Sequence, residues 1–307
     1  MRWVAKALLQ KGLSALPQPE RTNYLLQRYV SRSLPVPDRG LRRRFERAEQ
    51  HVRAYREHGP ERPLAEAVFY EFGAGWDLGV PLAFWILGVE HQILVDLRPN
   101  LRLDLVNTTV ERLNRIAAER GERAPGPPVD SLDELEGRFG IRYLAPCDAR
   151  DTGLPPRSVD FVSSTSTLEH VPSEDIVPIL AECRRLLRPD GALSCRIDLT
   201  DHFSHFDGSI SPYNFLRFDE RSWGVLNSAL LHQNRLRRSD YVRALERAGF
   251  DLVSERAWAP KNADPLAGIH PAERFRAYEP ADLAVQKLRL VARPSPDALE
   301  ELQDLGG

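Results

Sequence analysis

Phe69-Tyr70-Glu71-Phe72-Gly73-Ala74-Gly75-Trp76-Asp77 is the stretch whose reading decides the fold. The apolar run 67–72 that leads into it predicts a short buried strand, and 78–87 behind it predicts a helix. Between them stands a Gly-x-Gly turn. Gly73 and Gly75 carry no Cβ, so they accept positive φ and let a ligand approach the backbone. Strand, glycine turn, helix is how an open α/β sheet places a cofactor at the carboxyl end of a strand. The next apolar run, 91–95, ends in Asp96, with Leu97 beside it. An acid at the end of a second strand can accept both hydroxyls of a ribose.

The turn by itself leaves the cofactor open. A dinucleotide site wants a third glycine, opening the helix under a pyrophosphate. Asp77 stands near that place, and a carboxylate there repels a pyrophosphate but suits an ammonium or a sulfonium. Glu71 adds a second acid before the turn. In these residues the chain resembles the class I S-adenosylmethionine-dependent methyltransferases of the type 11-like kind, whose first motif is Glu-x-Gly-x-Gly. The resemblance implies that Glu71, Gly73, Ala74, Gly75 and Asp77 hold the methionine portion of S-adenosyl-L-methionine. It implies that Asp96 and Leu97 take the ribose end. The match departs at Asp77, where many members have a third glycine.

Three later segments extend the resemblance. Past a predicted third strand at 141–144 comes Cys147-Asp148-Ala149-Arg150, where the resemblance implies that Asp148 and Ala149 meet the adenine, the other reading of Asp148 being a loop cap. A strand at 158–164 then runs into Thr165-Ser166-Thr167-Leu168-Glu169-His170-Val171, similar to the family's Glu-His-Val segment, with Ser163, Ser164 and Thr165 near the sulfonium. His170 either points into the cleft or packs. Ser173 is expected to cap a helix running to 187. Arg188-Pro189-Asp190-Gly191 is expected to stop that helix, and a fifth strand follows at 192–199. A helix at 239–248 and strands at 250–257 and 283–292 close the pattern. The fold implied is α/β and Rossmann-like: a seven-stranded, mostly parallel sheet in the order 3-2-1-4-5-7-6, helices on both faces, the last strand antiparallel.

Ahead of the first strand, residues 1–60 read as an N-terminal helical extension, and 61–307 as the methyltransferase domain. In the first helix Ala5, Leu9, Leu13 and Leu16 share a face, with Arg2, Lys6 and Lys11 nearby. Such a helix packs on the domain or lies on a membrane surface. A second helix, 41–58, turns Leu41, Phe45, Ala48, Val52 and Tyr55 inward, and its Arg42-Arg43-Arg44 run reads as a solvated face.

Composition limits the rest. The chain has 307 residues, 42% hydrophobic and 28% charged, with a net charge of −2. That is ordinary soluble composition without a basic field to draw nucleic acid. The three cysteines are scattered, which argues against a disulfide framework or a zinc site and fits a reducing cytoplasm. No apolar run is long enough to span a bilayer, and the N-terminus lacks the apolar core and cleavage site of a secretory signal.

An insertion at about 200–237, rich in aromatics, histidines and acids, follows the fifth strand and is expected to lie over the cofactor as an acceptor pocket. Methyl transfer to a hydroxyl needs a base, and His202, His205 and His170 are the candidates, with Asp198, Asp201 or Asp207 to orient one of them. A cation on His202, His205, Asp201 and Asp207 ranks below that, so no metal is expected. The expected activity is methyl transfer to a small-molecule acceptor, a hydroxyl of a sugar, glycan precursor or secondary metabolite. Two other classes remain: a non-catalytic S-adenosylmethionine-binding or docking module on a degenerate fold, and a nicotinamide-dependent oxidoreductase on a similar sheet.

Overall fold

The computed structural model describes residues 2–14, 19–25, 27–28, 33–261 and 265–296. Helices α1 (Arg2–Ser14), α2 (Pro19–Leu25) and α3 (Asp38–His58) precede the first strand. The sheet elements then alternate with helices: β1 (Val68–Phe72), α4 (Gly79–Ile86), β2 (His91–Val95), α5 (Leu103–Arg120), α6 (Leu132–Phe139), β3 (Ile141–Leu144), β4 (Val159–Thr165), α7 (Ser173–Leu186) and β5 (Leu187–Asp198). Last come α8 (Glu220–Leu226), α9 (Arg238–Arg247), β6 (Phe250–Trp258), α10 (Pro280–Leu283) and β7 (Lys287–Pro294).

The strands form one sheet in the order β3-β2-β1-β4-β5-β7-β6. The first five run parallel, and β7 is antiparallel to both neighbours. The order and the antiparallel β7 are those expected from the sequence. Strand β1 is buried on both faces, so its side chains alternate between two cores. Phe69 enters a core shared with α3, α4, α5 and α6, while Tyr70 and Phe72 enter one shared with α7 and α9. Burying each such ring is worth roughly 1.5–3 kcal/mol. The predicted inward face of α3 is buried as expected.

Register brings the chemistry to one edge. Glu71 stands beside Leu94 of β2 and Ser163 of β4, and Val95 beside Leu144. The residues that follow these positions, the glycine turn and Asp96 among them, therefore share the carboxyl edge of the sheet.

Four expectations are corrected. Ser173 opens α7 but does not cap it: Pro172 holds the cap position, and the Ser173 hydroxyl donates to Glu174 Oε2 at 3.2 Å. The Arg-Pro-Asp-Gly run is not a separate turn, because β5 already begins at Leu187, which pairs with Val159 across a register shift. Leu283, expected to open the last strand, instead ends α10, and β7 starts at Lys287, since proline at the first turn favours a helix start at 280. In α1 the buried residues are Trp3 and Ala7, while Leu9 is 58% exposed and Leu16 lies outside the described residues. The large indole sets the rotation of the helix. It packs 5.6 Å from Phe203 and 5.7 Å from Phe218, centroid to centroid. Among the described residues no helix is long and apolar enough to cross a membrane.

Candidate active site

The glycine turn joins β1 to α4 with Gly73 at φ +74° and Gly75 at φ +78°. A Cβ on Gly73 would stand 2.4 Å from the Thr167 methyl, whereas one on Gly75 would meet open space. The second glycine therefore leaves room for a ligand, while the first is demanded by the loop after β4. A cleft of about 220 Å³ opens here, lined by Glu71, the glycine turn, Asp77 and Thr165. A second, of about 540 Å³, adjoins at Trp76 and is walled by Tyr24, Arg98 and Arg102.

The acids take distinct positions. Glu71 is 4% exposed, and its Oε2 has no hydrogen-bond partner. Burial, reinforced by the nearby Asp96 charge, pushes its carboxyl up to about 8. Asp96 is pushed up to about 7 by burial, against the Tyr143 hydroxyl and the amides of Gly75 and Ala74. Tyr143 donates to Asp96 Oδ2 at 3.0 Å. Asp77 is paired through Oδ1 with Arg44, which leaves Oδ2 without a partner. Glu71 and Asp77 thus offer unpaired acceptors, and Asp96 a carboxylate held by amides. That donor set fits an ammonium, a sulfonium and a ribose.

The other predicted cofactor residues are placed less uniformly. Leu97 is 64% exposed. The Asp148 carboxylate is engaged by Arg150, through Nε at 3.0 Å and Nη2 at 2.6 Å, so an adenine would share it with a guanidinium. Ala149 packs against the core beneath. The Ser164 hydroxyl is buried without a partner, and Thr165 Oγ1 lies 3.1 Å from His51 Nε2.

Helix α3 supplies what sequence reasoning missed. Arg44 and Arg47 line the 220 Å³ cleft, although the arginine run was read as a solvated face. His51 lies 2.9 Å from Ser194 Oγ, and burial drives its imidazole down to about 3, so it is neutral. The available signal was position: Arg44, Arg47 and His51 are spaced three and four apart, on one helical face.

The predicted bases gather. The His170 and His202 rings lie 4.9 Å apart, and those of His202 and His205 stack at 5.2 Å. Burial and the two neighbouring imidazoles lower His202 to about 3. His170 is lowered by burial, and its Nδ1 donates to the His232 carbonyl at 2.6 Å. His205 is the exposed member. Of the three candidate orienting acids only Asp198 reaches the row. Thr200 Oγ1 donates to Asp198 Oδ1 at 2.6 Å and stands 3.1 Å from His205 Nε2. Since the Thr200 proton is committed to Asp198, His205 Nε2–H is the donor and Nδ1 its basic nitrogen. Asp201 instead accepts from the Phe203 amide and Asn214, and Asp207 from the Trp3 amide and Ser209. The four-residue cation site on His202, His205, Asp201 and Asp207 is therefore not formed.

The insertion's aromatics do not line an open pocket. Phe203, Tyr213, Phe215 and Trp223 are buried against one another and against Trp3. Arg237 is fully buried and donates to the carbonyls of Leu199, Leu283 and Val285, which ties this cap to the end of β5. Aromatic content was read as pocket wall, but these rings build the cap that holds the histidines.

Residues 106–195 match the family model of a methyltransferase domain, from within α5 through β5. No curated protein matches the chain. Among solved structures it is similar to geranyl diphosphate C-methyltransferase from Streptomyces coelicolor, at 14% identity over 81% of this chain and 79% of that one, with a TM-score of 0.45. It is also similar to 1,6-didemethyltoxoflavin-N1-methyltransferase from Burkholderia thailandensis, at 15% identity over 90% and 87%, with a TM-score of 0.47. A third likeness is to a protein described as a methyltransferase from Bacillus halodurans, at 15% identity over 80% and 99%, with a TM-score of 0.44. The match to a methyltransferase domain takes in β4 and most of β5 of the 3-2-1-4-5-7-6 sheet, whose carboxyl edge carries the glycine turn and the acids described above.

Proposed function

We propose that the chain methylates a hydroxyl of a small molecule, a sugar, glycan precursor or secondary metabolite. The observation that carries this reading is the row of His170, His202 and His205 on the loops after β4 and β5. S-adenosylmethionine supplies an electrophilic methyl when bound. Glu71, Asp77 and the turn from Gly73 to Gly75 hold its methionine portion; Asp96 and Leu97 hold the ribose, Asp148 and Ala149 the adenine, and Ser164 and Thr165 border the sulfonium. Arg44 and Arg47 offer charge to the methionine carboxylate. His205 takes the acceptor's proton through Nδ1, oriented by Thr200 and Asp198. His202 and His170, kept neutral by burial, orient the acceptor.

With this reading go residues 1–60 as a helical extension, the insertion at about 200–237 as the acceptor side, and a reducing, cytoplasmic setting that suits three free cysteines. A peripheral membrane contact would use the outer face of α1, where Leu8 is 50% and Leu9 58% exposed. Liposome sedimentation tests that contact; protein that stays in the supernatant removes it.

Calorimetric titration with S-adenosylmethionine, S-adenosylhomocysteine and NADH comes first. Binding of the two sulfur ligands without NADH is expected, and NADH binding alone would favour an oxidoreductase. An acceptor screen then uses His205→Ala, which should lower turnover while keeping cofactor affinity. Turnover on amine or carbon acceptors only, or full activity of the variant, would overturn the hydroxyl-and-base reading.

A further inference from the structure

Glu169, His170 and His202 bring one carboxylate oxygen and two imidazole nitrogens within 4.8 Å of one another. Glu169 is 3% exposed. Its Oε1 accepts from the Asp198 amide at 3.2 Å, while Oε2 is buried and unpartnered. Arg47 and Arg196 act on it electrostatically, but among the described residues no arginine or lysine forms an ion pair with it. His202 Nε2 is likewise buried without a partner. His170 has its Nδ1–H committed to the His232 carbonyl, which fixes the tautomer with a lone pair on Nε2. One buried and two half-buried side chains therefore bring potential ligand atoms to the same space, and the backbone orients two of them from behind.

We propose that Glu169, His170 and His202 bind a divalent transition-metal cation of the zinc class, beside the methyl-transfer cleft. An unpartnered buried carboxylate oxygen and imidazole nitrogen are costly unless something meets them, and a dication meets both. Two imidazoles and one carboxylate suit zinc, cobalt or iron(II) rather than magnesium or calcium, which take oxygen ligands. Three protein ligands leave a coordination position open, as in catalytic rather than structural sites. That position would hold and polarise the acceptor's oxygen, with His205 left outside the ligand set to take the proton. This use rests on the hydroxyl-acceptor reading; occupation by metal does not.

The test is equilibrium dialysis of EDTA-stripped full-length protein against zinc chloride, for wild type, Glu169→Gln and His202→Asn. One equivalent is expected in wild type, undiminished by millimolar magnesium. Each variant should bind at least about tenfold more weakly, since loss of even an outer-shell partner costs roughly 10–100-fold. Calorimetry with S-adenosylhomocysteine on the same samples reports whether the variants are folded and whether the cofactor reading stands on its own. If the variants fail to fold, cobalt(II) added to wild type decides: visible ligand-field bands that zinc abolishes support the site. No zinc uptake, variants that bind as tightly as wild type, or no cobalt bands would each overturn it.

Discussion

At the scale of single residues, Asp96 carries the sharpest expectation. Its carboxylate is held by Tyr143 and by the turn's amides. Hydrogen bonds to a charged group are worth about 1.5–3 kcal/mol. Asp96→Ala should therefore weaken S-adenosylmethionine binding by more than about tenfold in calorimetry, and unchanged affinity would remove Asp96 from the ribose. Burial also places Asp96 near 7 and Glu71 near 8 in the free protein, above their ordinary values of 3.8 and 4.5. A carboxyl raised on folding binds more protons in the native state, so the stability it contributes is full below its unfolded pKa and falls as pH rises through its folded one. The cofactor-free protein should lose stability in denaturant titrations between pH 4 and 8. Cofactor affinity should move the other way: a ribose and a cationic methionine portion favour ionised acids, so binding should tighten from pH 6 to 8. An affinity flat across that range would mean that neither acid changes protonation on binding.

At the scale of elements, the glycine turn separates shape from ligand. Gly73→Ala puts a methyl 2.4 Å from Thr167 at φ +74°, so turn and β4 loop must part. Gly75→Ala meets the same left-handed backbone at φ +78° but no neighbour, and pays only the conformational cost, about 1–3 kcal/mol at most. Thermal melts should rank Gly73→Ala as the less stable, while Gly75→Ala should be the one whose loss shows mainly in cofactor titration. Equal melting temperatures would mean the Thr167 loop is free to move. Apolar runs, helical spacing and the two glycines made β1 to β4 legible in the sequence, because each is a local signal. The ends of β5 and β7 were not, since their bounds depend on pairing with Val159 and with β6 across the sheet. Arg44 and Arg47 were hidden for a related reason: a charged face of α3 reads as solvated until the cleft it meets is built. The histidine row was partly legible, because the residue types were on the page, but only the fold showed that Asp198, and not Asp201 or Asp207, reaches it through Thr200.

At the scale of the whole molecule, the cleft at the glycine turn and the histidine row are built from different parts of the chain. The cofactor cleft belongs to the edge of β1, β2 and β4 with α3 against it. The histidine row hangs on a cap whose core is a separate cluster, and the first helix is part of that cluster. Trp3 packs among Phe203, Phe218 and neighbouring rings, its amide donates to Asp207 Oδ2 at 3.2 Å, and Lys11 Nζ donates to the carbonyls of Gly224 and Asn227, both at 2.9 Å. The chain's start thus braces a segment some two hundred positions later. A buried tryptophan cut to alanine costs about 3–5 kcal/mol, and here the loss falls on the cap rather than on the sheet. Trp3→Ala should expose residues 200–237 to limited proteolysis while leaving S-adenosylhomocysteine affinity within about twofold, because no group of α1 lines the 220 Å³ cleft. Adding the ligand should not protect the cap in the variant. Loss of cofactor binding together with cap protection would show instead that the two sides fold as one cooperative unit, and that α1 supports both.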